Sequence, residues 1–274
     1  MEIILSCLPE DRSKLKVALF DFDGTVSTLR HGWEKIMEPM MLEMIAGSSA
    51  IDEALIAEVR DYIDQSTGIQ TIYQMQWLAE AVRKYGKNPG ASDDPWWYKA
   101  EYNRRLMCPV EERKESILKG NKTRKDFLVK GSEEFLTALV GNGVEIYVAS
   151  GTDHEDVVKE AEILGLKKYF KGIAGAPPGK ADCSKEAVLR KLVQENNLKG
   201  QEVIVIGDGK VEIALGKEVG AITLGVASEE EKLCGVNPIK RERLIKAGAH
   251  AITGDFECRD EIFEWLGLGR CWQE

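Results

Sequence analysis

Apolar side chains recur at helical spacing through residues 29–125, with polar breaks between the repeats. The pattern predicts helices over 33–45, 53–63, 72–82 and roughly 96–107. Gly47 supplies a stop after the first, and the stretch 87–95, with two prolines and one glycine, reads as a loop. This part of the chain is therefore expected to be entirely helical.

A different pattern begins after about residue 130, where short apolar runs alternate with helical ones. The runs predict strands over 144–150, 172–176, 203–207 and 221–226, with another near 251–253. Helices are predicted over 153–164, 185–195, 211–219 and 260–266, with Ser184 as an N-cap and Gly165 as a C-cap. Such alternation is typical of βαβ units and of a parallel sheet covered on both faces.

The first apolar strand pattern, 17–21, precedes the helical segment, whereas the other strands follow it. The fold class is therefore predicted to be α/β, with a Rossmann-like parallel sheet core and an inserted all-helical domain. We expect residues 1–28 and 126–274 to form the core domain and residues 29–125 the helical domain. Sites in such sheets lie at the carboxyl ends of the strands.

Composition narrows the possible partners. The 274-residue chain has a formal net charge of −9, which disfavours nucleic acid as a partner. Its six cysteines are scattered without metal-ligand spacing, as expected of reduced thiols. No stretch resembles a signal peptide or a membrane span. We expect a cytoplasmic protein, a monomer or homodimer, that binds neither nucleic acid nor a membrane.

The most informative motif is Asp21-Phe-Asp-Gly-Thr, which ends the first strand pattern. Because strand side chains alternate, Asp21 and Asp23 are expected on one side, with Phe22 in the core. Gly24 then allows a turn and a close approach of the backbone. Two neighbouring carboxylates repel each other unless a cation lies between them. The pair therefore predicts either a metal or a nucleophile beside a general acid.

Three further motifs fall at or near predicted strand ends. Ser150-Gly-Thr follows one strand, Gly207-Asp-Gly-Lys-Val-Glu follows another, and a lysine opens the helix that precedes the second of these strands. Together with Asp21-Phe-Asp-Gly-Thr, their order resembles that of the haloacid dehalogenase-like superfamily of phosphotransferases. The resemblance covers residues 15–28 and 130–255.

The resemblance implies roles for these residues. Asp21 would be the nucleophile that forms an aspartyl-phosphate. Asp23 would protonate the leaving group and then deprotonate the attacking water. Ser150 and the backbone N–H groups of Gly24 and Gly151 would hold the phosphoryl oxygens.

The resemblance also implies a metal, Mg²⁺, which prefers hard oxygen ligands beside phosphate. Asp208 would bind it together with the Asp21 carboxylate and the Asp23 carbonyl oxygen. Glu212 stands where the family often has an aspartate, and its longer side chain could bind the metal directly or through water.

Two lysines, Lys180 and Lys185, could fill the remaining position of the family pattern. Lys185 lies in the first turn of a predicted helix with Ser184 as its cap, whereas Lys180 follows Pro-Pro-Gly in a loop. We therefore assign the catalytic lysine to Lys185.

In the superfamily that this chain resembles, an all-helical insert is a cap of the C1 type that closes over the site. The implied function is an enzyme, a Mg²⁺-dependent phosphatase acting on a small phosphorylated metabolite such as a sugar phosphate. One or two aromatic residues of the insert are expected to line the cleft. The candidates are Trp33, Tyr73, Trp77, Trp96, Trp97, Tyr98 and Tyr102.

Other functions stay open at this point. A phosphomutase would share both aspartates, but it often carries an acidic residue in the region that Ser27 and Thr28 occupy here. A phosphonate hydrolase would need a cap lysine, for which Lys35, Lys84 and Lys99 are available. A non-catalytic binding module on this fold would be expected to lose its nucleophile, which is intact.

Overall fold

A seven-stranded sheet forms the centre of the molecule in the computed structural model, which describes residues 1–3, 14–179 and 185–269. The strand order is β1-β7-β6-β5-β2-β3-β4; all neighbouring pairs are parallel except β1 with β7. The strands are β1 (Glu2–Ile3), β2 (Val17–Phe20), β3 (Glu145–Asp153), β4 (Phe170–Ala176), β5 (Val203–Gly207), β6 (Ile222–Val226) and β7 (Ala251–Thr253).

Four helices follow β2 and pack on one another around a hydrophobic cluster of their own. They are α1 (Glu34–Ala46), α2 (Glu53–Gln65), α3 (Thr71–Tyr85) and α4 (Pro95–Leu118). The remaining helices are α5 (Ser132–Gly141), α6 (His154–Ile163), α7 (Lys185–Glu195), α8 (Lys210–Glu218), α9 (Pro238–Ala247) and α10 (Arg259–Leu266).

The central strand β2 is buried on both faces, as its unbroken apolar sequence predicts. Ala18 and Phe20 pack into the larger hydrophobic cluster, whereas Val17 and Leu19 pack into a second cluster on the opposite face. The predicted α/β class with a Rossmann-like parallel sheet is thereby confirmed. Phe22 is fully buried in the larger cluster, as strand alternation predicts.

Helices α5 and α9 have no counterpart among the sequence predictions. Helix α9 buries only Lys240 and Leu244, so it carries almost no apolar periodicity. Its ends are nevertheless marked, because Asn237 caps it, Pro238 occupies the first turn and Gly248 follows with φ +91°. These end signals, more than its hydrophobic pattern, could have revealed it.

Helix α4 is longer than predicted, with 24 residues that continue through Pro109. Leu106 and Val110, on either side of the proline, are buried in the cluster of the four helices. Further along the helix, Ile117 packs against the larger hydrophobic cluster, on one face of the sheet. Arg113 donates a hydrogen bond to the carbonyl oxygen of Leu29 at 2.6 Å. Burial on both sides of Pro109 thus outweighs the single backbone hydrogen bond that proline removes.

Within the described ranges, none of the helices is long and apolar enough to cross a membrane.

Candidate active site

Three adjacent strands end at one edge of the sheet and place the predicted residues there. Strand β2 lies between β3 and β5, with Phe20 paired to Val148 and to Ile206. Since all three strands are parallel, the residues after their carboxyl ends converge. Asp21 and Asp23 follow β2, Ser150 lies towards the end of β3, and Asp208 follows β5.

Asp21 shares a lysine with Glu212. The Nζ atom of Lys185 lies 3.0 Å from Asp21 Oδ1 and 3.0 Å from Glu212 Oε2. All three side chains are buried. Burial raises the pKa of Asp21 well above its usual range, and the nearby Glu212 and Asp208 carboxylates add to this against the opposing effect of Lys185. The Asp21 carboxylate therefore needs cations around it to stay ionised.

Asp208 completes a group of three carboxylates suited to a metal. One carboxylate oxygen each from Asp21, Asp208 and Glu212 lies within 4.8 Å of the others. The Glu212 side chain is held at the first turn of α8, where its Oε1 atom accepts the Gly209 N–H at 2.6 Å. Clustered hard oxygen donors are what Mg²⁺ requires, so these residues fit the metal that the sequence motifs imply.

The Asp23 carboxylate lies between the side chains of Thr152 and Arg30. Its Oδ2 atom accepts a hydrogen bond from Thr152 Oγ1 at 2.8 Å. Its Oδ1 atom is buried without a hydrogen-bond partner among the described residues, and Arg30 Nε lies 3.9 Å away. Burial raises the pKa of Asp23, while Arg30 and Thr152 oppose the rise. A raised pKa favours the protonated form that a general acid needs.

Arg30 is held in place by a buried ion pair. Its Nη2 atom donates to Glu160 Oε1 at 2.7 Å and to Asp156 Oδ2 at 3.3 Å. Burial alone would lower the pKa of Arg30, but the facing carboxylates raise it, so the guanidinium keeps its charge. Burial raises the pKa of Glu160 to about 7 against the opposing effect of Arg30. The pair connects the segment after β2 to helix α6.

Replacement of Arg30 by methionine (R30M) should destabilise the protein most at high pH. Breaking a buried ion pair typically costs about 3–5 kcal/mol. The pKa of Glu160 is raised in the folded state, so this group makes folding less favourable as the pH rises through about 7. Loss of Arg30 enlarges this effect. Urea unfolding should show that R30M loses more of its free energy of unfolding, relative to the wild type, at pH 8 than at pH 5.5.

The double variant R30M/E160Q is the control, because it removes the carboxylate that R30M leaves unpaired. Its unfolding free energy should recover most of the loss at pH 8. A loss in R30M that is equal at both pH values would contradict the electrostatic account.

Two of the three predicted phosphate-binding residues line the cavity, and the third does not. Ser150 and Gly151 line the cavity above the two aspartates. The Ser150 hydroxyl accepts the Thr152 N–H at 3.1 Å. Gly24 lies against the Asp208 carboxylate. The N–H of Gly24 donates to the carbonyl oxygen of Ser27 at 2.8 Å. The predicted contact between the Gly24 N–H and a phosphoryl group would therefore require this turn to rearrange.

The α2–α3 loop and helices α3 and α4 close the other side of the cavity, whose volume is about 100 Å³. A Cβ atom on Gly151 would lie 2.8 Å from the carbonyl oxygen of Ile69, so the α2–α3 loop sits directly on the β3 end. Of the aromatic candidates, Trp33 and Tyr102 line the cavity, whereas Tyr98 is fully buried between helices. The remaining wall on this side consists of Thr67, Gly68, Ile69, Thr71, Gln74 and Leu106.

The cap lysines weighed for a phosphonate hydrolase form ion pairs with carboxylates that are not part of the cavity wall. Lys35 pairs with Glu231, Lys84 with Glu58, and Lys99 with Asp153. The other candidate for the catalytic lysine, Lys180, and the predicted cap Ser184 lie outside the described residues.

Sequence reasoning missed four residues at this site, namely Arg30, Thr152, Lys240 and Arg243. Arg243 donates to the Asp208 carbonyl oxygen at 3.3 Å and to Thr67 Oγ1 at 3.2 Å. Lys240 donates to Asp208 Oδ2 at 2.8 Å. Both come from α9, so the missed helix explains both omissions. Thr152 is the last residue of the Ser150-Gly-Thr motif, which by itself gives the threonine no role.

Known proteins resemble this chain in sequence and in fold. A 5'-nucleotidase of Pseudomonas aeruginosa is 24% identical over 217 residues, covering 78% of this chain and 85% of the relative. The crystal structure of a β-phosphoglucomutase from Clostridium difficile superposes with a TM-score of 0.62 at 15% identity, covering 92% of this chain and 97% of that one. A predicted phosphatase from Clostridium acetobutylicum gives a TM-score of 0.59 at 17% identity, covering 91% and 99%.

The family assignment rests on a match to a family model. Residues 15–220, well over half of the chain, match the haloacid dehalogenase-like hydrolase family. The match begins just before β2 and ends beyond α8, so it includes both aspartates, Ser150, Lys185 and Asp208. The family and the hydrolase class predicted from the four motifs are thus confirmed, and the chain belongs to the haloacid dehalogenase-like hydrolases.

Proposed function

We propose that this hydrolase is a Mg²⁺-dependent phosphatase that cleaves a small phosphorylated metabolite through an aspartyl-phosphate on Asp21. The observation that carries the proposal is the pair Asp21 and Asp23 at the end of β2. Ser150 faces the pair in the same cavity, and Lys185 lies against Asp21. This arrangement supports attack by the Asp21 carboxylate and proton transfer by Asp23.

In the first half of the reaction, an Asp21 carboxylate oxygen attacks the phosphorus atom. The bond between phosphorus and the leaving oxygen breaks, and Asp23 gives its proton to that oxygen. The alcohol departs, and the phosphoryl group stays on Asp21. Proton transfer of this kind contributes roughly 10²–10⁴ in rate.

In the second half, a water molecule attacks the phosphorus of the aspartyl-phosphate, and Asp23 accepts a proton from it. The acyl-phosphate bond breaks, which frees the Asp21 carboxylate and inorganic phosphate. Lys185, within 3.0 Å of Asp21, supports the negative charge of the carboxylate and of the phosphoryl group in both halves. Ser150 lines the cavity, and its hydroxyl would bind phosphoryl oxygens.

Asp21, Asp208 and Glu212 would hold the Mg²⁺ ion, with the Asp23 carbonyl oxygen as the further ligand that the motif implies. When bound, the ion neutralises charge that develops on the phosphoryl oxygens. This chain's own contribution is to orient the three carboxylates and to exclude bulk water from them, since all three are buried.

The leaving group that best suits the cavity is small and uncharged. On the cap side, the wall offers hydroxyl and amide groups from Thr67, Thr71 and Gln74 beside the aromatic faces of Trp33 and Tyr102. Such a wall suits the hydroxyl groups of a sugar or the base and ribose of a nucleoside. We therefore propose a sugar phosphate as substrate, with a nucleoside monophosphate as second candidate because of the 5'-nucleotidase relative.

We also propose that residues 29–125 act as a cap domain that opens to admit the substrate. Two side chains of α4 bind the end of β3 in the closed arrangement. Lys99 pairs with Asp153, and Asn103 Nδ2 donates to Asp153 Oδ2 at 2.9 Å. Both contacts are polar, so water can replace them when the cap opens.

The test is phosphate release from a panel of phosphorylated sugars, nucleoside monophosphates and an aryl phosphate, with and without Mg²⁺. We expect release from at least one sugar phosphate or nucleotide. EDTA should stop it, and added Mg²⁺ should restore it.

Turnover without a metal would contradict the proposal that Asp21, Asp208 and Glu212 hold Mg²⁺. Isomerisation of a phosphosugar without release of phosphate would replace the phosphatase by a phosphomutase. Equal turnover of a phosphoprotein and of small phosphomonoesters would contradict the proposed substrate size.

A further inference from the structure

A buried lysine from α9 contacts the proposed metal site, although it belongs to none of the four motifs. The side chain of Lys240 is buried, and its ammonium group has three acceptors. It donates to Asp208 Oδ2 at 2.8 Å, to Glu230 Oε1 at 2.6 Å and to Ser228 Oγ at 3.1 Å. All three donor positions of the ammonium are thus used, so Lys240 is fixed in orientation.

The same lysine links the two loops that carry the site. Ser228, which accepts from Lys240, donates its own hydroxyl to the carbonyl oxygen of Gly24. A Cβ atom at Gly24 would collide with Asp208 Oδ2 and would lie 3.1 Å from Lys240 Nζ. The turn after β2, the turn after β5 and helix α9 therefore meet around one ammonium group.

Asp208 is thus restrained on one of its two carboxylate oxygens. The bond to Lys240 occupies Oδ2, which leaves the lone pairs of Oδ1 for another cation. The main-chain oxygen of the same residue accepts from Arg243, one turn further along α9. Side chain and backbone of Asp208 are both anchored to α9. Hydrogen bonds to ligating carboxylates commonly set their orientation and strengthen metal binding.

We propose that Lys240 is a positioning residue, which holds the Asp208 carboxylate in the orientation that a divalent cation requires. The inference rests on the proposed function in so far as Asp208 is taken as a metal ligand. The opposite expectation is that Lys240 is only a nearby positive charge, which repels the incoming cation. The two differ in sign, because removal of a repelling charge would strengthen metal binding.

The experiment is a Mn²⁺ titration of the metal-free protein without substrate, followed by electron paramagnetic resonance of the free ion. K240M should raise the Mn²⁺ dissociation constant by roughly 10- to 100-fold. K246M is the matched control, since Lys246 is exposed on the same helix and pairs with Glu242 at the surface. Its dissociation constant should equal that of the wild type.

Unchanged or tighter Mn²⁺ binding by folded K240M would overturn the inference. If K240M does not fold, S228A carries the test, because it removes one of the three acceptors of Lys240 without leaving a buried carboxylate unpaired. It should raise the dissociation constant by less than K240M would, and an unchanged constant would then overturn the inference. Failure of the wild type to bind Mn²⁺ at all would overturn the proposed metal site as well.

Discussion

Replacement of Asp21 by asparagine (D21N) is expected to lower kcat for an aryl phosphate by a factor on the order of 10⁴ to 10⁶. The amide cannot attack phosphorus, and the aspartyl-phosphate cannot form without a carboxylate at this position. Residual positioning by Lys185 and Ser150 does not replace the missing nucleophile. Steady-state release of the aryl alcohol measures the effect, and mass spectrometry of the quenched wild type should detect the phosphorylated form that D21N lacks.

Folding should survive this change. Burial raises the pKa of Asp21 well above its usual range, so in metal-free protein its ionised form makes folding less favourable as the pH rises. The neutral amide removes this cost, and Lys185 keeps Glu212 as a partner at 3.0 Å. The thermal midpoint of D21N at neutral pH in EDTA should match or exceed that of the wild type. D61N, on the exposed face of α2, should retain full activity; near-normal kcat in D21N would remove the nucleophile assignment.

Replacement of Lys185 by methionine (K185M) is expected to impair both stability and catalysis. The change leaves the Asp21 and Glu212 carboxylates buried without the ammonium that lies 3.0 Å from each. Leaving buried charges unpaired typically costs about 3–5 kcal/mol of the free energy of unfolding. At saturating Mg²⁺, kcat should still fall by about 10² to 10³, because charge on the phosphoryl group is no longer supported.

Mg²⁺ distinguishes these two effects of K185M. The ion should raise the thermal midpoint of the variant more than that of the wild type, since it restores positive charge beside the carboxylates. It should not restore kcat. K191M, an exposed position on the same helix, is the control for loss of a lysine from α7. Full recovery of kcat by Mg²⁺ would show that Lys185 serves stability alone.

The parts of the site that sequence could predict are those attached to strand ends. Asp21, Ser150 and Asp208 each follow a short run of apolar residues, and such runs are expected to be buried. Because parallel strands end at the same edge, their meeting follows from the fold class alone. Lys185 could be placed because it opens a recognisable helix just before β5.

The parts that sequence could not predict depend on pairing across long stretches of chain. Arg30 is 130 residues from Glu160, and Lys240 is 32 residues from Asp208. A buried ion pair has no local pattern, since each charged residue looks like a solvated one until its partner is known. Helix α9 was missed for the related reason that its buried face is formed partly by a lysine.

Helix α4 packs both on the other three helices and on the sheet, and this bears on the proposed opening of the cavity. Its first part packs among the four helices through Leu106 and Val110, and its end packs against the sheet through Ile117. Any swing of the helices away from the strand ends therefore has to flex α4. Pro109 lies between Leu106 and Val110, inside the part of α4 that packs on the other helices, so the bend would have to fall further along, between Val110 and Ile117. The last turn of α4 would then stay against the sheet while the preceding turns move with the other three helices.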